Sequence, residues 1–81
     1  MVNRIRSIPM EFSAYRFGRD CLQKREELDM GMLEVANLVD LSVATVDNVE
    51  RAVYRNMLMS TFIAFCNLYD LDPRNYFELR A

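Results

Sequence analysis

The side chains in this sequence that could do covalent or metal chemistry are few. It has two cysteines, Cys21 and Cys66, and no histidine. That removes the ligand set of a Cys/His zinc site and the base of a histidine-dependent triad. Both cysteines fall at apolar positions of predicted helices and read as small buried hydrophobes of a reducing cytoplasm. Carboxylate pairs such as Glu26 and Glu27 come without a nucleophile, a pocket or a metal-ligand spacing, so no acid–base chemistry is assigned to them. A binding protein is expected, not an enzyme, with no metal and no cofactor.

Charge is the other chemistry on offer, and it is unevenly spread. The net charge is −2. Residues 1–25 carry Arg4, Arg6, Arg16, Arg19, Lys24 and Arg25 against Glu11 and Asp20, while residues 26–81 hold four arginines against ten acids. The total therefore conceals a basic first quarter and an acidic remainder.

The elements that must position these groups follow from composition and period. An 81-residue chain that is 52% hydrophobic, with two glycines and two prolines, is one compact domain and neither disordered nor a turn-rich β-sandwich. No apolar run reaches the length of a membrane span. No export leader opens the sequence, so a cytoplasmic protein is expected. A domain this small buries only about 60% of its unfolded surface, and a dimer is the expected remedy for marginal stability.

Residues 1–11 lack a helical period and are broken by Pro9, which predicts an extended arm carrying Arg4 and Arg6 ahead of a domain over 12–81. Phe17, Cys21 and Leu28 recur at helical spacing within residues 12–28. Residues 32–39 form a second predicted helix with Leu33 and Ala36 inward. Ser42 is a good N-cap for a third over 43–51, with Val46 and Val49 inward despite its β-branched run. Leu58, Phe62, Phe65 and Tyr69 mark a fourth, capped by Asn56 or Ser60. Asp72-Pro73 opens a short fifth over 73–79. The expected fold class is all-α, with five helices.

Two short helices joined through Val39-Asp40-Leu41, the second capped by serine, outline a helix-turn-helix. Residues 33–52, LEVANLVDLSVATVDNVERA, resemble the Cro/phage-repressor type of helix-turn-helix found in xenobiotic-response-element-like bacterial regulators. Arg25 falls where that family has an arginine late in helix 1. Met30 stands at the apolar residue opening the motif, and Ala36 at the small residue of the helix crossing. Glu50-Arg51-Ala52 takes the place of the family's Glu-x-Gly end. Residues 61–77, TFIAFCNLYDLDPRNYF, are similar to its helix 4, link and start of helix 5.

The resemblance implies a five-helix, lambda-repressor-like domain that is a dimeric repressor of phage or mobile-element type, working in the cytoplasm of a bacterium or phage-infected host. It implies an ion pair between Arg25 and Glu50, and a third helix lying in the major groove of an operator duplex. Base contact maps to Ser42, Val43, Ala44 and Asn48, with Thr45 near the phosphates. Asn48 can pair with adenine N6 and N7 together, and Val43 or Ala44 can meet a thymine methyl. Arg51 and Arg55 would add positive charge, and Arg4 and Arg6 would reach phosphates or the minor groove. The family's dimer surface maps to Tyr69, Tyr76 and Phe77. The chain departs from the family at Met32, Val43 and Ala44, where polar or basic residues are common, and Asp47 adds negative charge. A different outcome is also open: a helix-turn-helix that no longer reads DNA and binds a protein partner, as an antirepressor, inhibitor or antitoxin component would.

Overall fold

In the computed structural model, the residues described are 10–54 and 56–79. The chain runs β1 (Met10–Phe12), α1 (Ala14–Glu27), α2 (Met32–Val39), α3 (Val43–Glu50), α4 (Met59–Tyr69), a one-turn 3-10 helix at Pro73–Tyr76, and β2 (Phe77–Leu79). The fold is mostly helical, and the first four helices stand where the apolar period places them.

The expected fifth helix over 73–79 is corrected. Asp72 caps its start by accepting from the Arg74 N–H at 3.0 Å, with Pro73 in the first turn. Continuation is then blocked from outside. The Asn75 carbonyl accepts from Arg16 Nη2 (2.7 Å) and the Tyr76 carbonyl from the Ser13 N–H (2.8 Å). With those acceptors tied to the start of α1, the backbone opens at Phe77 (φ −118°, ψ 135°). It pairs antiparallel with residues 10–12 in the register Met10–Leu79, Glu11–Glu78, Phe12–Phe77. Met10 and Glu11, placed in the expected arm, thus belong to a strand. The rest of that arm, residues 1–9, lies outside the described residues.

The core is aromatic at its centre. Phe17 of α1 packs against Phe62 (ring centroids 4.8 Å), Tyr76 (5.1 Å), Phe12 (5.8 Å) and Phe65 (6.4 Å). Cys21, Val35, Ala36, Val46 and Val49 complete it from the three helices before α4. Two apolar positions expected inside, Leu28 and Leu33, are instead exposed, and of the successive Met57, Leu58 and Met59 it is Leu58 and Met59 that point outward. On α2 the inward pair is Val35 and Ala36, which turns Leu33 outward. The expected caps Asn56 and Ser60 are also displaced, because α4 starts from Leu58, which makes no side-chain capping bond.

All four α-helices end in the same turn. Asp29, Asp40, Ala52 and Asp70 adopt left-handed backbone with φ between 55° and 60°. The next N–H bonds back five residues, from Met30 to the Arg25 carbonyl, Leu41 to Ala36, Val53 to Asn48 and Leu71 to Cys66. These are Schellman-type ends, each followed by an apolar residue, and aspartate tolerates the left-handed region better than most residues.

Candidate nucleic-acid interface

The α2–α3 unit is seated on α1 by one ion pair and one bare backbone approach. Arg25, a turn beyond Cys21 on the core face of α1, donates from Nε to Glu50 Oε2 (2.7 Å) and from Nη2 to Glu50 Oε1 (3.0 Å). Its Nη1 donates to the Met30 carbonyl at 3.0 Å. One guanidinium therefore joins α1, the turn into α2 and the last residue of α3. The Glu50 side chain is 3% exposed and that of Arg25 15%, and the hydrogen bond to Glu50 holds the Arg25 pKa above its ordinary value. The pairing expected from the family resemblance is present.

Gly18 makes the second seat. A Cβ at this position would run into the Val49 carbonyl and would stand 3.2 Å from that of Glu50. Only glycine lets α1 lie this close to the end of α3. Sequence reasoning passed over Gly18, although a glycine inside a helix of so glycine-poor a chain was the available hint.

With Val46 and Val49 buried beneath it, α3 turns the opposite arc outward. At 100° per residue that arc carries Ala44, Asp47, Asn48 and Arg51, with Val43 at its edge, about 60° from Val46. Ser42, Val43 and Ala44 are exposed at its leading end, and Asn48 is half-buried further along. Ser42 caps the helix as expected: its Oγ accepts from the Thr45 N–H at 3.1 Å and lies 2.9 Å from Thr45 Oγ1. The two hydroxyls thus hold each other as well as the helix start. Arg51 is exposed and pairs with Asp47 one turn back (3.2 Å), so its charge is partly balanced on its own helix. Arg55, Arg4 and Arg6 lie outside the described residues.

Around this surface the charge is acidic. Residues 26–50 include Glu26, Glu27, Asp29, Glu34, Asp40, Asp47 and Glu50 and no lysine or arginine. Cations stand on α1 instead. Arg16 bridges to Glu78 (3.2 Å), Arg19 lies over the Tyr15 ring (5.8 Å), and Lys24 is beside Glu27 (3.8 Å).

The expected dimer residues do not form a free surface. Tyr69 is 3% and Tyr76 2% exposed, both inside the aromatic core, and Phe77 packs partly buried against it. Tyr76 Oη donates to Asp20 Oδ2 at 2.8 Å. Residues 77–79 pair as a strand with β1, and the 3-10 turn before them packs on α1, so Tyr76 and Phe77 turn into the core where a protruding fifth helix would have displayed them.

The described residues also line open depressions. A cleft of about 510 Å³ is lined by Glu11, Ser13, Tyr15, Arg51, Ala52 and Glu78. An apolar groove of about 230 Å³ runs between α4 and the strands. Among the described residues no cluster of histidine, cysteine or carboxylate groups could hold a metal ion, and no helix is long and apolar enough to cross a membrane. No protein-family model, curated protein sequence or solved structure matches the chain.

Proposed function

We propose that this chain is a sequence-specific DNA-binding transcriptional regulator, a homodimeric repressor of phage or mobile-element type acting in the cytoplasm, which lays α3 in the major groove of an operator duplex. The observation that carries this reading is the way α3 is mounted. Its inner side is pinned by Arg25–Glu50, Gly18, Val46 and Val49, while Ser42, Val43, Ala44 and Asn48 face outward along one arc. A short, rigidly held helix with its leading end exposed is the geometry that reads base edges. Asn48 is the hydrogen-bonding reader, Val43 and Ala44 offer apolar contact to thymine methyls, and Thr45 lies toward the phosphates. Arg4, Arg6, Arg51 and Arg55 provide the cations, since the helix-turn-helix itself contributes only Arg51.

That last fact favours one second reading. A protein-binding helix-turn-helix, of antirepressor, inhibitor or antitoxin kind, is supported by the six exposed or half-exposed acids, Glu26 to Asp47, and the absence of bases over residues 26–50. Repeated selection from random duplex DNA at low and physiological salt separates the two. Enrichment of a palindromic site, with binding lost in Asn48→Ala, supports the DNA reader. No enrichment at low salt overturns it in favour of the protein-binding module.

A further inference from the structure

The longest stretch of the sequence without a charged side chain includes the whole of α4. From Asn56 to Tyr69 the sequence NMLMSTFIAFCNLY contains no ionisable acid or base of the Asp, Glu, Lys or Arg type. The apolar groove here is lined by Phe12, Asn56, Met57, Met59, Phe62 and Phe77. Beside it Leu58 is 72% and Met59 63% exposed, with Ile63 one turn further along α4. Met10, also exposed, lies two residues from Phe12 on the same face of β1. The hairpin is therefore two-sided: Met10, Phe12 and Phe77 border the groove side, while the directly paired Glu11 and Glu78 point to the other.

We propose that this face docks a second copy of the chain, Leu58 of each copy seating in the groove of the other. A closed two-fold association sets a patch against itself, so a patch bearing one sign of charge repels its own copy. That disfavours the α2–α3 surface, where the acids outnumber the single base Arg51, and selects the uncharged face of α4. The patch also has the form of a self-complementary contact, with a projecting leucine next to a groove that has room for one apolar side chain. Methionines at its wall let it adapt to what enters. The location differs from the Tyr69, Tyr76 and Phe77 surface implied by family resemblance, since two of those rings are core. The inference refines the homodimer of the proposed function and does not depend on DNA being its target.

Sedimentation equilibrium without DNA, across micromolar to near-millimolar protein, tests it. The wild-type chain is expected to dimerise with concentration. Leu58→Lys and Met59→Glu should each raise the dissociation constant by at least about tenfold while keeping the wild-type circular dichroism, and the wild-type melting curve at concentrations where both chains are monomeric, because both side chains are exposed. Mixing these two variants should restore a heterodimer, with the new lysine facing the new glutamate. Leu33→Glu, on the exposed side of α2, should leave association unchanged. A wild-type chain that stays monomeric, a dimer that survives both groove variants, or one that is lost in Leu33→Glu overturns the proposal. A monomer that still selects a DNA site overturns this interface alone, whereas a groove dimer that selects none overturns only the DNA reading.

Discussion

Arg25 and Glu50, twenty-five residues apart, are joined by two hydrogen bonds of 2.7 and 3.0 Å, and the same guanidinium holds the Met30 carbonyl. A fork-to-fork pair of this kind fixes distance and angle together, so α3 is set against α1 by geometry more than by net stabilisation. Removing one partner leaves the other charge buried and unpaired. Arg25→Met and Glu50→Leu are each expected to destabilise by about 3–5 kcal/mol. The double variant should be less destabilised than the sum of the two. Urea denaturation followed by circular dichroism measures all three, and strict additivity would contradict the pairing.

Gly18 and Ala52 meet at the same crossing and are expected to respond in opposite directions. Gly18→Ala gains helix propensity of about 1 kcal/mol but drives a methyl group into the Val49 carbonyl. Backbone cannot yield as a side-chain tip can, so a net loss of about 1–3 kcal/mol is expected. Ala52 ends α3 at φ 60°, a conformation that disfavours a Cβ. Ala52→Gly should therefore raise stability by about 1 kcal/mol. Thermal melts of the two variants should shift in opposite senses; a shift of both in one sense contradicts this account.

Much of this arrangement was legible in the residues. Helical period located α1 to α4, and the Ser42 cap fell where a serine before an apolar run predicts it. Arg25–Glu50 was visible only through family resemblance, since a contact over that separation has no local pattern. The strands were missed because each is three residues long and exists only through the other. Phe77-Glu78-Leu79 alternates with period two, but it continues a capped helical start and so reads as helix. Leu28 and Leu33 read as inward because period alone does not say which of several apolar arcs finds a partner. The Asp-apolar pairs at 29–30, 40–41 and 70–71 were a usable mark of helix ends, since aspartate takes the left-handed turn where glycine is scarce.

Alkaline pH should unfold the domain by ionising its core. Burial pushes the Cys21 thiol and the Tyr69 and Tyr76 phenols well above their ordinary values of 9.0 and 10.0, and the bond to Asp20 adds to the effect at Tyr76. Each group is neutral in the folded state where the unfolded chain ionises. Their contribution is thus complete below pH 9 and lost as pH rises beyond the unfolded values. Urea midpoints should hold steady to about pH 8.5 and fall steeply by pH 10.5. Tyr69 Oη is buried without a hydrogen-bond partner among the described residues. Tyr69→Phe should accordingly be neutral or stabilising at pH 7 and should flatten the alkaline decline. Destabilisation at pH 7 would show that this hydroxyl has a partner.

The basic first segment should carry much of the affinity for duplex DNA. Removing residues 1–8 takes away Arg4 and Arg6. If both neutralise phosphates, the slope of log affinity against log salt should become shallower by about 2. Fluorescence anisotropy titrations at several salt concentrations measure this, and an unchanged slope would remove the arm from the interface.

The central claim is that α3 presents its outer arc to DNA. Backbone amide shifts recorded while a short mixed-sequence duplex is titrated into labelled protein at low salt test it most directly. The account predicts that the largest changes cluster at Ser42, Val43, Ala44, Thr45 and Asn48, and that core amides such as Phe65 stay in place. No change at those positions while the amides of α2 or α4 move would contradict it.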